Sequence, residues 1–171
     1  MSTSKMVIFC ILLILINVLH SENCEIEIGQ IAPDFALKNQ NGKIESLSKY
    51  KGHKVAIYFY PKNNTRGCTK EACNIRDNFE ILNQKKIKVF GISYDNQKKH
   101  KDFIKEYNLQ FDLLSDSDKT VSKLYCADGW FLPKRITYLV DEGGYFYKII
   151  KDIDVDNHAQ QILEGFFSSK H

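Results

Sequence analysis

The stretch Tyr60-Pro61-Lys62-Asn63-Asn64-Thr65-Arg66-Gly67-Cys68-Thr69-Lys70-Glu71-Ala72-Cys73 decides the fold. It follows a continuous apolar run, Val55-Ala56-Ile57-Tyr58-Phe59-Tyr60, short and rich in β-branched and aromatic residues, which predicts a buried strand. Behind it, Cys68, Ala72, Ile75, Phe79 and Leu82 recur at helical spacing and predict a helix over Cys68–Gln84. Strand, loop and helix therefore place Cys68 in a first helical turn. There the unpaired N–H groups and the positive end of the helix dipole favour thiolate over thiol.

Working outward, the approach Gly29-Gln30-Ile31-Ala32-Pro33-Asp34-Phe35 leads to a hairpin with strands over Phe35–Lys38 and Lys43–Leu47, turned at Asn41-Gly42. After the central helix comes a strand over Lys88–Ser93. A helix over Asn96–Tyr107 follows, with Asp95 as its expected cap. A strand over Phe111–Leu114 and a small helix near Lys119–Leu124 come next. Ile136–Asp141 and Tyr145–Ile150 flank the turn Glu142-Gly143-Gly144, and a last helix, capped by Asp156 or Asn157, runs to about Phe167. This order, βαβ, helix, hairpin and closing helix, predicts an α/β, thioredoxin-like fold with an extra N-terminal β-hairpin.

The chain has 171 residues, enough for one domain with a full-sized core. A net charge of +3 gives no argument for nucleic acid or a membrane surface as partner. Arginine is scarce, with only Arg66, Arg76 and Arg135 among 24 basic residues, so each prompts the question of why lysine would not serve. At the N-terminus a basic Lys5 precedes an apolar run over Val7–Leu19, interrupted by Asn17 and followed by polar His20-Ser21-Glu22-Asn23. That pattern predicts a secretory signal peptide over residues 1–21, with residues 22–171 as the mature domain. The run is short for a transmembrane helix, which needs about 20 apolar residues, and an uncleaved anchor is the lesser alternative. Residence in the secretory pathway or secretion follows from the leader.

Outside the leader, which holds Cys10, the cysteines are Cys24, Cys68, Cys73 and Cys126. An even count in a secreted chain is compatible with two structural disulfides, but a domain of this size does not need them.

Pro61-x-x-x-Thr65-x-x-Cys68 resembles the peroxidatic-cysteine signature of peroxiredoxins, and Cys73 resembles the resolving cysteine of their bacterioferritin-comigratory, PrxQ-type branch. The blocks Gly29-x-x-Ala32-Pro33-Asp34-Phe35 and Pro133-Lys134-Arg135-Ile136-Thr137-Tyr138-Leu139-Val140-Asp141 extend the resemblance from about Gly29 to the last helix. What the resemblance implies is a thiol peroxidase acting on hydrogen peroxide and organic hydroperoxides. Cys68 attacks and becomes a sulfenic acid, and Cys73 resolves it as a Cys68–Cys73 disulfide. By the same resemblance Arg135 stabilises the thiolate and holds a peroxide oxygen, Thr65 places its hydroxyl beside the sulfur to hydrogen-bond the substrate, and Pro61 fixes the loop and helps shield the thiolate from water. A thioredoxin-like reductant, a monomeric state and no metal, haem or flavin are implied as well. One departure is Arg66, where PrxQ-type proteins typically carry proline. It adds positive charge two residues before Cys68.

Residues five apart in a helix are rotated by ~140°, with Cα atoms about 8.6 Å apart. A disulfide needs them within about 7 Å. A Cys68–Cys73 bond therefore demands that the helix unwind locally in each cycle.

Plainer readings stand beside these. Cys68 alone could be a small buried hydrophobe, and Cys73 could be inert. For Cys126 a core or loop thiol is favoured over a second resolving residue, and for Cys24 a free terminal thiol, with pairing between chains as an alternative. His53, His100 and His158 are read as structural or surface residues, and Trp130 and Phe131 as core or pocket rim. The run Lys98-Lys99-His100-Lys101 is read as a solvated helix face. A general disulfide oxidoreductase lacks its Cys-x-x-Cys here. A redox sensor that keeps the fold without turnover is the alternative from another class.

Overall fold

The computed structural model describes residues 24–168, so the leader expected over residues 1–21 lies outside the described residues. No described helix is long and apolar enough to cross a membrane. The strands are β1 (Ala36–Asn39), β2 (Ile44–Ser46), β3 (Lys54–Phe59), β4 (Ile87–Ser93), β5 (Asp112–Ser115), β6 (Ile136–Val140) and β7 (Phe146–Ile150). The helices are α1 (Arg66–Asp77), α2 (Phe79–Gln84), α3 (Gln97–Tyr107), α4 (Thr120–Leu124) and α5 (His158–Phe167), with a 3-10 turn over Leu47–Tyr50. One sheet of seven strands runs in the order β2-β1-β5-β4-β3-β6-β7. Its centre, β5-β4-β3, is parallel, and β6 joins β3 antiparallel.

The apolar run that announces β3 is buried on both faces because the pleat sends alternate residues to opposite sides. Ala56, Tyr58 and Tyr60 face one core with Cys68, Ala72 and Ile75 of α1, Leu82 of α2, Phe103 of α3 and Ile162 of α5. Val55, Ile57 and Phe59 face the other with Phe35, Leu47, Val121 and Tyr125. Tyr58 and Leu113 close over Gly91 of β4 because it has no side chain: a Cβ there would stand 2.7 Å from the tyrosine Cζ and 2.6 Å from Leu113 Cδ2. The helix layer on the first face sets the position of Cys68.

The continuous helix expected over Cys68–Gln84 is two helices broken at Asn78, whose side-chain amide donates to the Asn74 carbonyl at 2.8 Å. That side chain competes with the helical ladder for the same acceptor. The expected Asp95 cap is also corrected. Asn96 caps α3, its side chain accepting from Lys99 N at 3.0 Å, while Asp95 turns inward to accept from Asn63 N at 2.8 Å.

His100 does not belong to a solvated face; it is fully buried. Its Nε2 stands 3.2 Å from the Leu114 carbonyl, an acceptor, so Nε2 carries the proton. Nδ1 then accepts from the Asn63 amide at 3.1 Å. Burial keeps this ring neutral, lowering its pKa to about 4.

Two further expectations change. Trp130 and Phe131 are 85% and 82% exposed and therefore not core residues. Cys24 and Cys126 are joined in a disulfide, with Cα atoms 5.4 Å apart, rather than free thiols. The approach segment runs along β7, with Gly29 N donating to Phe146 O and Ala32 N to Gly144 O. Tyr125 Oη donates to Pro33 O, holding the end of α4 against the same segment. Those contacts bring Cys24 to Cys126 across 102 residues of chain.

Candidate active site

Cys68 is the third residue of α1, buried at 1% exposure with its thiol free. Arg135, the residue before β6, donates from Nη2 to Cys68 Sγ at 3.1 Å. The β3–β6 register pairs Phe59 with Ile136, which delivers Arg135 to the end of the sheet where the β3–α1 loop begins. Burial disfavours an anionic sulfur; a guanidinium donor and the unpaired N–H groups of a helix start favour one.

The second nitrogen of that guanidinium, Nη1, donates to Glu71 Oε2. Glu71 is fully buried on α1, one turn after Cys68. Arg135 thus serves the sulfur with one arm and a buried carboxylate with the other, which a lysine ammonium could not do in a fixed plane. Glu71 went unnamed as a site residue in the sequence reading, although a signal was there. A carboxylate three positions after a cysteine, beside the apolar stripe Cys68-Ala72-Ile75, faces the interior and requires a partner.

The loop before Cys68 is held from beneath. Tyr60 Oη donates to Asn63 Oδ1 at 2.6 Å, Asn63 N binds Asp95, and Asn63 Nδ2 binds His100. Thr65 is the N-cap residue in position but makes no side-chain cap; its hydroxyl donates to Lys62 O at 3.2 Å, and the residue is exposed. Pro61 is half-buried at the start of the same loop, and Arg66 is exposed as the first residue of α1. The structure therefore brings Arg135 onto Cys68, and sets Thr65 and Pro61 in the loop leading to it.

Cys73, also free, is half-buried in the same unbroken helix. Its neighbourhood includes Arg76, which donates to Tyr107 O at 2.9 Å and joins α1 to the end of α3. A cleft of about 490 Å3 touches Arg135 but not Cys68; Cys24, Cys126, Lys134 and Lys151 line it too. Among the described residues there is no cluster of His, Cys, Asp and Glu suited to a metal ion.

The AhpC/TSA family model matches residues 28–148. The putative peroxiredoxin bcp of Coxiella burnetii is 42% identical over 149 residues, covering 81% of this chain and 97% of that protein. Peroxiredoxin Bcp of Bacillus subtilis is 38% identical over 149 residues, 81% and 94% of the two chains. Among solved structures, peroxidoxin BcpB of Mycobacterium tuberculosis superposes with a TM-score of 0.78 at 29% identity, covering 86% of this chain and all of that one. The chain belongs to the AhpC/TSA family, in its Bcp/PrxQ branch of peroxiredoxins, the thiol peroxidases of this fold.

Proposed function

We propose that this peroxiredoxin reduces hydrogen peroxide and small organic hydroperoxides with Cys68 as the attacking thiolate. The observation that carries the assignment is the 3.1 Å hydrogen bond from Arg135 Nη2 to Cys68 Sγ. The thiolate attacks one peroxide oxygen in line with the O–O bond. That bond breaks, its electron pair leaves on the second oxygen as water or alcohol after protonation, and the sulfur becomes a sulfenic acid. Arg135 holds the reacting oxygens, and Thr65 and Pro61 shape the mouth of the loop.

Cys73 then attacks the sulfenic sulfur and expels water, leaving a Cys68–Cys73 disulfide. Both cysteines lie within α1, so this step unwinds the helix and presents the disulfide to solvent. A thioredoxin-like dithiol restores both thiols by exchange and is itself oxidised. We assign the enzyme a monomeric state and, from the leader over residues 1–21, a place in the secretory route. Plant relatives named as chloroplastic peroxiredoxin Q make a membrane-bounded organelle a second destination.

A coupled thioredoxin assay on wild type, Cys68→Ser, Cys73→Ser and Cys126→Ser tests the assignment. Cys68→Ser abolishes peroxide consumption. Cys73→Ser loses turnover yet still forms a sulfenic acid that a dimedone probe captures. Loss of turnover in Cys126→Ser instead would overturn the resolving role of Cys73.

A further inference from the structure

Helix α5 sends one buried group toward the site that the peroxide chemistry above does not use. His158, its first residue, is fully buried. Its Nε2 stands 2.9 Å from Thr137 Oγ1 on β6. Its Nδ1 stands 3.0 Å from Glu71 Oε1 on α1. The two atoms are close but not aligned as a hydrogen bond, and among the described residues neither Nδ1 nor Oε1 has a hydrogen-bond partner. The Tyr58 ring packs edge-on against the imidazole at 5.7 Å.

The charge state follows from the surroundings. Burial, with the Arg135 charge beyond Glu71, lowers the imidazole pKa to about 3, so the ring is neutral and carries one N–H. With the proton on Nε2, the Nδ1 lone pair would face carboxylate lone pairs at 3.0 Å, an uncompensated buried repulsion. With the proton on Nδ1, Thr137 donates its hydroxyl hydrogen to Nε2, and the positive end of the Nδ1–H dipole lies beside the Glu71 carboxylate instead of a lone pair. Only the second arrangement avoids that repulsion and lets a small turn of either side chain complete the hydrogen bond.

We propose that His158 is a positioning residue for the Cys68 thiolate: its Nδ1–H holds Glu71, and Glu71 in turn aims Arg135 at the sulfur. The chain runs Thr137, His158, Glu71, Arg135, Cys68, drawn from β6, α5, α1 and the loop before β6. Without the imidazole donor, Glu71 Oε1 is left bare in the core. The carboxylate then turns to take both arms of the guanidinium in a bidentate pair, drawing Nη2 off the sulfur. The other charged pair at this end of α5, Lys70 with Asp156, is exposed and does not replace the donor.

The proposal rests on Cys68 being the attacking thiol, and its test separates the two. In a Cys73→Ser background, the ultraviolet absorbance of the thiolate is followed against pH with no peroxide present. Hydrogen peroxide is then added in a single turnover. His158→Phe, which keeps the ring volume, is expected to move the thiolate titration to higher pH and slow oxidation about tenfold, the order of effect of removing the polar partner of a buried charge. His158→Asn, whose Nδ2–H overlays the histidine Nδ1–H, is expected to restore most of both. Thr137→Val, which removes only the hydroxyl that sets the tautomer, shifts the titration in the same direction by less and covers the case in which His158→Phe does not fold. An unchanged titration in His158→Phe, or in Thr137→Val should His158→Phe not fold, overturns the proposal. So does equal damage in His158→Phe and His158→Asn that follows only their loss of melting temperature. A shifted titration with no peroxide consumption by any variant, wild type included, would instead sink the peroxidase assignment.

Discussion

Arg135 reaches Cys68 Sγ at 3.1 Å while its other arm is bound by Glu71, so the sulfur and the carboxylate share one guanidinium. Sixty-seven residues separate Arg135 from Cys68, and the contact exists because β6 pairs with β3 beside the strand that leads into α1. Arg135→Lys keeps the charge but not the fork. The expected result is a fall of about tenfold to a hundredfold in the single-turnover rate with hydrogen peroxide, the range for losing a hydrogen bond to a charged group. Stopped-flow fluorescence measures it, and a rate within twofold of wild type would remove Arg135 from the reaction.

Asn74 bolts α1 to α5. Its side chain donates to Asp156 O at 2.7 Å and accepts from Ala159 N at 2.8 Å. If Cys73 resolves Cys68 as proposed, the unwinding of α1 must break these bonds. Asn74→Ala should therefore form the Cys68–Cys73 disulfide faster after peroxide while costing about 1–2 kcal/mol of stability. Quenched-flow alkylation with mass analysis reads the first, and urea unfolding the second. Slower disulfide formation in this variant would count against the unwinding mechanism.

The Cys24–Cys126 disulfide spans 102 residues. On the chain-entropy account, closing a loop of about 100 residues stabilises the fold by up to about 4.7 kcal/mol. Cys126→Ser should melt at lower temperature and unfold at lower urea than wild type, yet keep its peroxidase turnover with a thiol reductant. Equal stability in the two proteins would mean that the bridge does not constrain the unfolded chain.

Acid sensitivity has a definite sign. His100 and His158 ionise at about 4 and about 3 in the folded protein, against about 6.5 unfolded. The unfolded chain therefore binds protons first as pH falls below 6.5. Stability is fully present above that value and is lost progressively down to about pH 4, by about 1.4 kcal/mol per pH unit for each ring. Asp116, raised by burial, opposes this weakly because the folded state takes up its proton first. Asp34 and Asp112, held below the ordinary carboxylate range by Ser48 and by Lys88, matter only at lower pH. Urea midpoints from pH 7 to pH 4 should fall steadily, and the slope should flatten in a folded His100→Asn variant. A flat profile across that window would show that the two rings are not buried neutral.

Much of this was open to local reading. The run Val55–Tyr60 announces a strand buried on both faces, because no polar residue interrupts it. The helical recurrence of Cys68, Ala72 and Ile75 puts Cys68 on the inner face of α1. The break at Asn78 was missed because one side chain competing for a carbonyl leaves the apolar period intact. The interior placement of His100 was missed because lysines surround it in sequence, and only packing decides which residue of α3 turns inward.

The local elements and the thiol at the helix start can thus be read along the chain, since hydrogen bonding and amphipathic period act between neighbours in it. The company that thiol keeps is settled only by folding. Glu71 meets Arg135 and His158, and Cys24 meets Cys126, because sheet pairing and the docking of α5 on α1 set those distances. A buried carboxylate, a guanidinium and an imidazole must satisfy one another once water is excluded, and which of them share a pocket is fixed only when distant elements pack.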